Sequence, residues 1–310
     1  MHTVVIVNPH SANRATGKRW PDIRRALEPV LGPFEEHFTN CPDDATGLTR
    51  RAIQDGAERI IAAGGDGTNN EVVNGFFDGL TPLNPQAVLG FIPRGTGGDL
   101  RKTLGIGMEL DRCLEILRAG RTRPVDVGSA SFVGHDGEQT RRLFINITSF
   151  GMGGLVDKLV NQSTKALGGK ASFLIGTMKA MARYRNQQVA LKVADGDRVV
   201  LDQTLRITNV AVANGQYHGG GMWVAPNAVI DDGLFDVTIL GDMTKTEMMR
   251  NSGRIYKGTH LALPKVSTAR GTHVEATGEE EVLIDMDGEQ PGRLPIALDI
   301  LPGALKVITP

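Results

Sequence analysis

The stretch Gly64-Gly65-Asp66-Gly67-Thr68-Asn69-Asn70-Glu71-Val72-Val73-Asn74-Gly75 follows directly on the apolar run Ile60-Ile61-Ala62-Ala63. A buried strand ending in glycines lets the main chain turn at positive φ and approach a ligand with no Cβ in the way. A helix starting near Thr68 would aim its first N–H groups and the positive end of its dipole at the same place, which suits a phosphate. Asp66 would repel that guest unless a hard cation lay between them, so the pattern points to a magnesium nucleotide. A glycine turn between strand and helix is also common as plain structure in α/β proteins. Two better-known phosphate fingerprints are absent: no Gly-x-x-x-x-Gly-Lys-Ser/Thr occurs, and Asn70 stands where a dinucleotide fingerprint needs its last glycine.

Around this stretch, apolar β-branched runs alternate with helical patterns. Strands are expected at Thr3–Val7, Glu35–Thr39, Arg59–Ala63 and Ala87–Ile92, and helices near Gly17–Leu31, Ala45–Gln54, Thr68–Phe77 and Leu110–Ala119. That rhythm predicts a parallel sheet with helices on its faces and ligands at the carboxyl ends of its strands. After Val127 short β runs dominate, at Leu143–Ser149, Gln188–Val193, Thr204–Ala213, Leu234–Leu240, Val266–Ala276, Val282–Met286 and Ile296–Ile300. Helical signal is confined there to Leu155–Arg185 and Lys245–Ile255. The expected domains are therefore 1–127, which a last strand within 303–310 could complete, and a mostly antiparallel 128–302.

Composition narrows the function. Lys and Arg number 34 against 35 Asp and Glu, a balance that asks for no nucleic acid. Cys41 and Cys113, with no close spacing or His cluster, argue against a disulfide framework and structural zinc, and fit a reducing compartment. The opening Met1–Pro9 is too short an apolar run for a signal peptide, and the uncharged stretch Ile207–Ile230 carries Asn209, Asn214 and Pro226 among glycines and cannot span a bilayer as a helix. A cytoplasmic protein, soluble or transiently at a membrane surface, is expected.

Further constellations follow. Pro93-Arg94-Gly95-Thr96-Gly97-Gly98-Asp99 trails the fourth strand as the first loop trails the third, so two glycine-rich turns should face each other across one crevice. Asp231-Asp232-Gly233 within Ala225–Asp236 reads as a turn before a strand or as oxygen ligands for a hard cation. Asp287-Gly288-Glu289 on its own is a hairpin turn. Between Leu155 and Gln187, Lys158, Lys165, Lys170, Lys179, Arg183 and Arg185 are interleaved with Leu174, Ile175, Met178 and Met181. This is either a solvated face over a core-facing stripe or a helix resting on an anionic bilayer. His218, before Gly219-Gly220-Gly221, reads as polar surface, and Trp20 and Trp223 as core or edge residues.

Taken in order, these segments resemble the diacylglycerol kinase catalytic family, which includes bacterial soluble lipid kinases and sphingosine and ceramide kinases. The carrying residues are Asn8-Pro9, Gly64–Gly75, Pro93–Asp99 with Leu104-Gly105-Ile106, Asn146-x-x-Ser149-x-Gly151, Ala225–Asp236 and Asp287-Gly288-Glu289. The resemblance implies a phosphofructokinase-like α/β N-terminal domain, a mostly-β C-terminal sandwich domain that takes the lipid, and ATP in the cleft between them. Carried over, Asn8, Gly64, Gly65, Asp66, Gly67, Thr68, Glu71, Gly95 and Thr96 would lie on the nucleotide. Asp66, Asp99 and Asp232 would organise Mg2+. Asp287 would be the general base with Glu289 as its helper, and Asp66→Ala and Asp287→Ala are each expected to lose turnover with the fold intact.

The implied partners are a lipid alcohol and a peripheral membrane surface, and a homodimer is compatible. Departures from the family pattern are Ala12-Asn13 after Ser11, where Gly is usual, Gly98 for a usual Asn, and Leu100-Arg101-Lys102 for a usual Phe-Ala-Arg. The rival readings are an NAD kinase-like phosphotransferase, in which the Asn-Glu pair sits well downstream rather than at Asn70-Glu71, and a lipid-binding pseudokinase, against which every expected acid is present.

Overall fold

The computed structural model describes residues 1–95, 97–162 and 169–310, with side chains described outside 161–174. The chain divides into two units, Met1–Val127 with Pro302–Pro310, and Gly128–Leu301.

The first unit runs β1 (Thr3–Val7), α1 (Ala15–Leu31), β2 (Glu35–Phe38), α2 (Asp44–Gln54), β3 (Arg59–Gly64), α3 (Asp66–Gly75), the hairpin β4 (Phe77–Asp78) and β5 (Thr81–Pro82), β6 (Val88–Pro93), α4 (Asp99–Thr103) and α5 (Leu110–Ala119). β1, β3 and β6 are almost wholly buried apolar runs, as strands covered by helices on both faces must be. They pair in parallel in the order β2-β1-β3-β6, with Val5 opposite Ile61 and Ile61 opposite Gly90. Near the end of the chain Lys306 and Val307 add a parallel edge beside Val88 and Leu89. Because the strands are parallel, the loops leaving β1, β3 and β6 emerge at one edge, which brings Asn8, Gly64-Gly65 and Arg94-Gly95 together.

Two helices start two residues earlier than expected. α3 starts at Asp66 rather than near Thr68, since Gly65 takes the extended N-cap conformation, φ −96° and ψ −173°. α1 starts at Ala15 rather than Gly17, after Ala12, Asn13 and Arg14 in the left-handed region at φ 51°, 55° and 68°.

The second unit takes in most of β7 (Thr122–Gly134), then β8 (Gln139–Phe144), β9 (Ile147–Gly151), α6 (Met152–Gln162), α7 (Gly169–Arg183), β10 (Gln187–Asp195), β11 (Arg198–Ile207), β12 (Asn209–Ala213), β13 (Tyr217–His218), β14 (Met222–Trp223), β15 (Phe235–Leu240), α8 (Lys245–Tyr256), β16 (Val266–Gly271), β17 (His273–Gly278), β18 (Ile284–Met286) and the larger part of β19 (Gly292–Ile308). One antiparallel sheet has the order β16-β15-β12-β9-β18, and a second layer runs β11-β10-β17-β19 with β7 and β8 beyond. Their inner faces share a core of Phe144, Phe150, Val189, Leu191, Val210, Phe235, Ile284 and Leu298, making a mostly-β sandwich. Phe144 and Phe235 stack at its centre, 5.7 Å between ring centroids.

The expected strands Thr204–Ala213 and Val266–Ala276 each prove to be two. The chain leaves one sheet for the other at Thr208 and again at Thr272, where Thr208 N bonds to Leu240 O at 2.8 Å and Thr272 N to Ala194 O at 2.9 Å. The expected helical stretch Leu155–Arg185 is likewise the separate pair α6 and α7. Among the described residues, no helix is long and apolar enough to cross a membrane.

Candidate active site

In the first unit the two glycine loops meet as bare main chain. A Cβ on Gly95 would lie 2.8 Å from Gly65 Cα, and one on Gly64 would lie 2.5 Å from Thr68 Cβ, so larger residues are excluded by close approach. Arg94 N donates to Gly64 O at 2.7 Å, and Asp66 Oδ2 accepts from Gly98 N at 2.8 Å, pinning one loop to the other. Asn8 Nδ2 donates to Thr68 Oγ1 at 2.9 Å, tying the end of β1 to the first turn of α3. Among the described residues no side chain caps α3, so its opening N–H groups face this junction with the helix dipole behind them.

Electrostatics single out Asp66. Burial, then the charge of Asp99, push its carboxyl above the ordinary range, against the partial relief of N–H bonds from Gly98, Asp99 and Leu100. Asp99, itself buried, pairs with Lys102 at 3.0 Å. Glu71 is occupied elsewhere. Its carboxylate accepts from Ala45 N at 3.1 Å, at the opening of α2, while Thr46 Oγ1 donates to Glu71 O at 2.9 Å. It fastens α2 to α3 behind the loop. Gly67 lies in the first turn of α3, and Thr96 falls outside the described residues.

In the second unit Asp287 is buried, and its backbone is left-handed at φ 49°, uncommon for a residue with a Cβ. Its carboxylate accepts from three consecutive main-chain donors, Ile145 N at 3.1 Å, Asn146 N at 3.2 Å and Ile147 N at 3.0 Å. Glu289 pairs with Arg142 at 2.9 Å.

Behind this turn lies a set of groups that the sequence alone does not single out. Asp285, fully buried, is joined by His218 Nε2 at 2.7 Å and Ser149 Oγ at 3.1 Å, with Asp157 of α6 alongside. His218 is therefore no surface residue, its side chain being 14% exposed. The available signal was a second acid, Asp285, two residues before Asp287 in the middle of an apolar run.

Asp232 is committed to another partner. It forms an ion pair with Arg270, which also holds Asp236 at 3.0 Å, and Asp232 Oδ1 accepts from Leu234 N at 3.1 Å. The alternative of a turn before a strand describes it, and a cation would have to displace the guanidinium. Among the described residues no group of three or more His, Cys, Asp or Glu is arranged to hold a metal.

In the basic stretch, Ile175, Met178, Lys179, Arg183 and Arg185 are exposed, whereas Ala180 and Tyr184 are buried. The side chains of Lys165, Lys170 and Leu174 fall outside the described residues.

The chain matches the family described as “Diacylglycerol kinase catalytic domain” over residues 2–130, and that described as “YegS C-terminal NAD kinase beta sandwich-like domain” over residues 146–309. It is 29% identical over 295 residues to a Bacillus subtilis protein named diacylglycerol kinase, covering 94% of this chain and 90% of that one. It is 32% identical over 268 residues to a Chromohalobacter salexigens protein named “Probable lipid kinase YegS-like”, covering 86% of this chain and 81% of that one. In fold it is similar to the crystal structure of a diacylglycerol kinase from Bacillus anthracis, with TM-score 0.72 at 20% identity and coverage of 100% and 97%. A more distant likeness is to yeast NADH kinase, with TM-score 0.53 at 11% identity and coverage of 99% and 82%.

Proposed function

The chain belongs to the diacylglycerol kinase catalytic family and is a lipid kinase, and from that premise we propose that it moves the γ-phosphoryl group of ATP onto the primary hydroxyl of a lipid, diacylglycerol-like or of the sphingoid or ceramide kind. The first unit is then the nucleotide domain and the second the lipid domain. Such a transfer passes through a loose transition state, so the residues chiefly position groups and offset charge.

The carrying observation is the close main-chain approach of two glycine loops, pinned by the Asp66 carboxylate on Gly98 N. Amides at the N-terminus of α3, with Gly64, Gly65, Gly67, Gly95 and the Thr68 hydroxyl, would line the phosphates. Asn8 orients Thr68 and Glu71 steadies the helix pair behind. Thr96 belongs to the same loop and is proposed as a nucleotide contact on the family resemblance.

Asp66 and Asp99 would hold magnesium: both are buried, and the charge of Asp99 disfavours ionisation of Asp66, a conflict a hard cation would relieve while displacing Lys102 from Asp99. Bound there, magnesium would supply positive charge against the phosphates. Asp232 is left out of this proposal, because Arg270 holds it together with Asp236 and a cation would have to displace a guanidinium shared by two acids.

Asp287 is proposed to take the lipid hydroxyl's proton on its carboxylate. Three N–H bonds already draw on its lone pairs. A loose transition state tolerates this, because the proton leaves late, as the new O–P bond forms. Glu289, steadied by Arg142, holds the far side of the turn. The exposed Ile175 and Met178 beside Lys179, Arg183 and Arg185 support transient contact with a bilayer.

The test is lipid-dependent ADP formation by the purified protein with magnesium, across diacylglycerol, ceramide, sphingoid base and, as the competing acceptor, NAD. A response to one or more of the lipids is expected. A response to NAD alone would replace this reading.

A further inference from the structure

Asp287 is left-handed at φ 49°, a conformation that a residue with a Cβ keeps only where its surroundings enforce it, and Gly288 follows at φ 88°. One anchor is the Asp287 carboxylate on residues 145–147. The other is Asp285 Oδ1, which accepts from Gly288 N at 3.1 Å. Asp285 is thus the point where the turn, β9 through Ser149, β13 through His218 and α6 through Asp157 are joined.

The contact between Asp157 and Asp285 sets two buried carboxyl groups against each other. Asp157 Oδ2 is buried with no donor in reach among the described residues, so the two acceptors can meet only across a shared proton. Burial, then the charge of Asp285, push Asp157 well above the carboxylate range. Burial would raise Asp285 as well, but the His218 imidazole and the converging hydrogen bonds outweigh it and hold Asp285 below its ordinary value. The other charges facing Asp157 among the described residues are His218, which favours its ionisation without reversing the shift, and Glu289, which disfavours it and is itself paired with Arg142 at 2.9 Å.

We propose that Asp157, Asp285 and His218 form a buried proton-holding cluster that positions the Asp287-Gly288-Glu289 turn for phosphoryl transfer, with Asp157 as the neutral acid, Asp285 as the anion that holds Gly288, and His218 as the donor that keeps Asp285 in place. All three are positioning residues. The inference rests on the proposed part of this turn in taking the hydroxyl proton.

The consequence is an alkaline limit. As pH rises through the elevated range of Asp157, a second negative charge enters the cluster, attraction between the two acids becomes repulsion, and the Gly288 anchor is strained. The turn then loosens, and kcat falls with little change in KM for ATP.

Asp157→Asn mimics the neutral acid, since its amide can donate to Asp285 at any pH. Asp285→Asn removes the anion, and His218→Gln keeps a donor without the imidazole. The measurements are kcat and KM from neutral to alkaline pH, using the lipid that gives turnover in the panel above, and the infrared carbonyl band of a protonated carboxyl group at neutral pH.

In the wild type the band is present and kcat has an alkaline limb. Asp157→Asn should lose both. Asp285→Asn should lose kcat by roughly a hundredfold throughout, the scale of a catalytic group misplaced by about an ångström. His218→Gln should be milder than Asp285→Asn if the donor is what matters. A wild type without the band, or an alkaline limb that survives in a folded Asp157→Asn protein, overturns the inference. A wild type that phosphorylates no lipid would instead overturn the proposed function, an outcome the infrared band does not depend on.

Discussion

Replacing Asp287 by Asn tests whether this residue is only a proton acceptor. Its carboxylate bonds Asn146 N and Ile147 N through Oδ1 and Ile145 N through Oδ2. An Asn side chain can turn its carbonyl toward the first two donors, but its NH2 then faces the Ile145 N–H. One hydrogen bond to a charged acceptor is lost, worth about 1.5–3 kcal/mol, and a buried donor is left unmet at a cost of about 1–3 kcal/mol.

Allowing for partial relaxation, the expected destabilisation is about 3 kcal/mol. For a unit of this size that corresponds to a fall of roughly 6–12 °C in the unfolding temperature of the second unit. The expectation from sequence, that Asp287→Ala would lose turnover with the fold intact, is therefore revised: turnover and stability should fall together. Differential scanning calorimetry of wild type and variant checks this, with kcat measured well below either transition. An unfolding temperature unchanged within error would refute the claim that three main-chain donors depend on this carboxylate.

Three further predictions concern the first unit and the cation. Gly95→Val places a side chain against the Gly65 backbone and should weaken ATP affinity by at least about tenfold, or about 1.4 kcal/mol, read by calorimetry. Asp66 has a folded pKa above its unfolded value, so the folded state holds more protons and stability falls as pH rises from the ordinary aspartate range through the raised one. Asp66→Asn should remove that slope in pH-dependent denaturant melts while abolishing turnover. The magnesium concentration for half-maximal turnover should rise for Asp99→Asn and stay near wild type for Asp232→Asn, and the reverse pattern would move the cation to the second unit.

Much of the architecture was legible because burial on both faces of a parallel sheet demands unbroken apolar runs, as at Val4–Val7 and Ile60–Ala63. The glycine loops were legible for a related reason: close main-chain approach excludes side chains. The sheet switches at Thr208 and Thr272 were not, since apolar residues stand close on both sides of each switch and the pattern does not record which neighbour a strand pairs with. β7 escaped notice because Gly128-Ser129-Ala130 has little of a strand's usual bulk.

Contacts distant in sequence were also hidden. Asp232 looks the same beside a cation as beside Arg270, 38 residues away. Asp285 finds Ser149 136 residues away, and His218 had no visible partner until the fold supplied Asp285. Asp66 reads from sequence as a cation ligand, and its second part, holding Gly98 across 32 residues, shows only in the folded chain.

The most direct trial of the account follows the phosphoryl group itself. Protein supplied with magnesium, γ-18O-labelled ATP and the responsive lipid should yield a lipid phosphate monoester on the primary hydroxyl with all label in its phosphate, at a rate matching ADP release. Label found only in free phosphate, or a labelled product that forms equally well with Gly95→Val, would contradict the claim that these glycine loops hold the donor for transfer to a lipid.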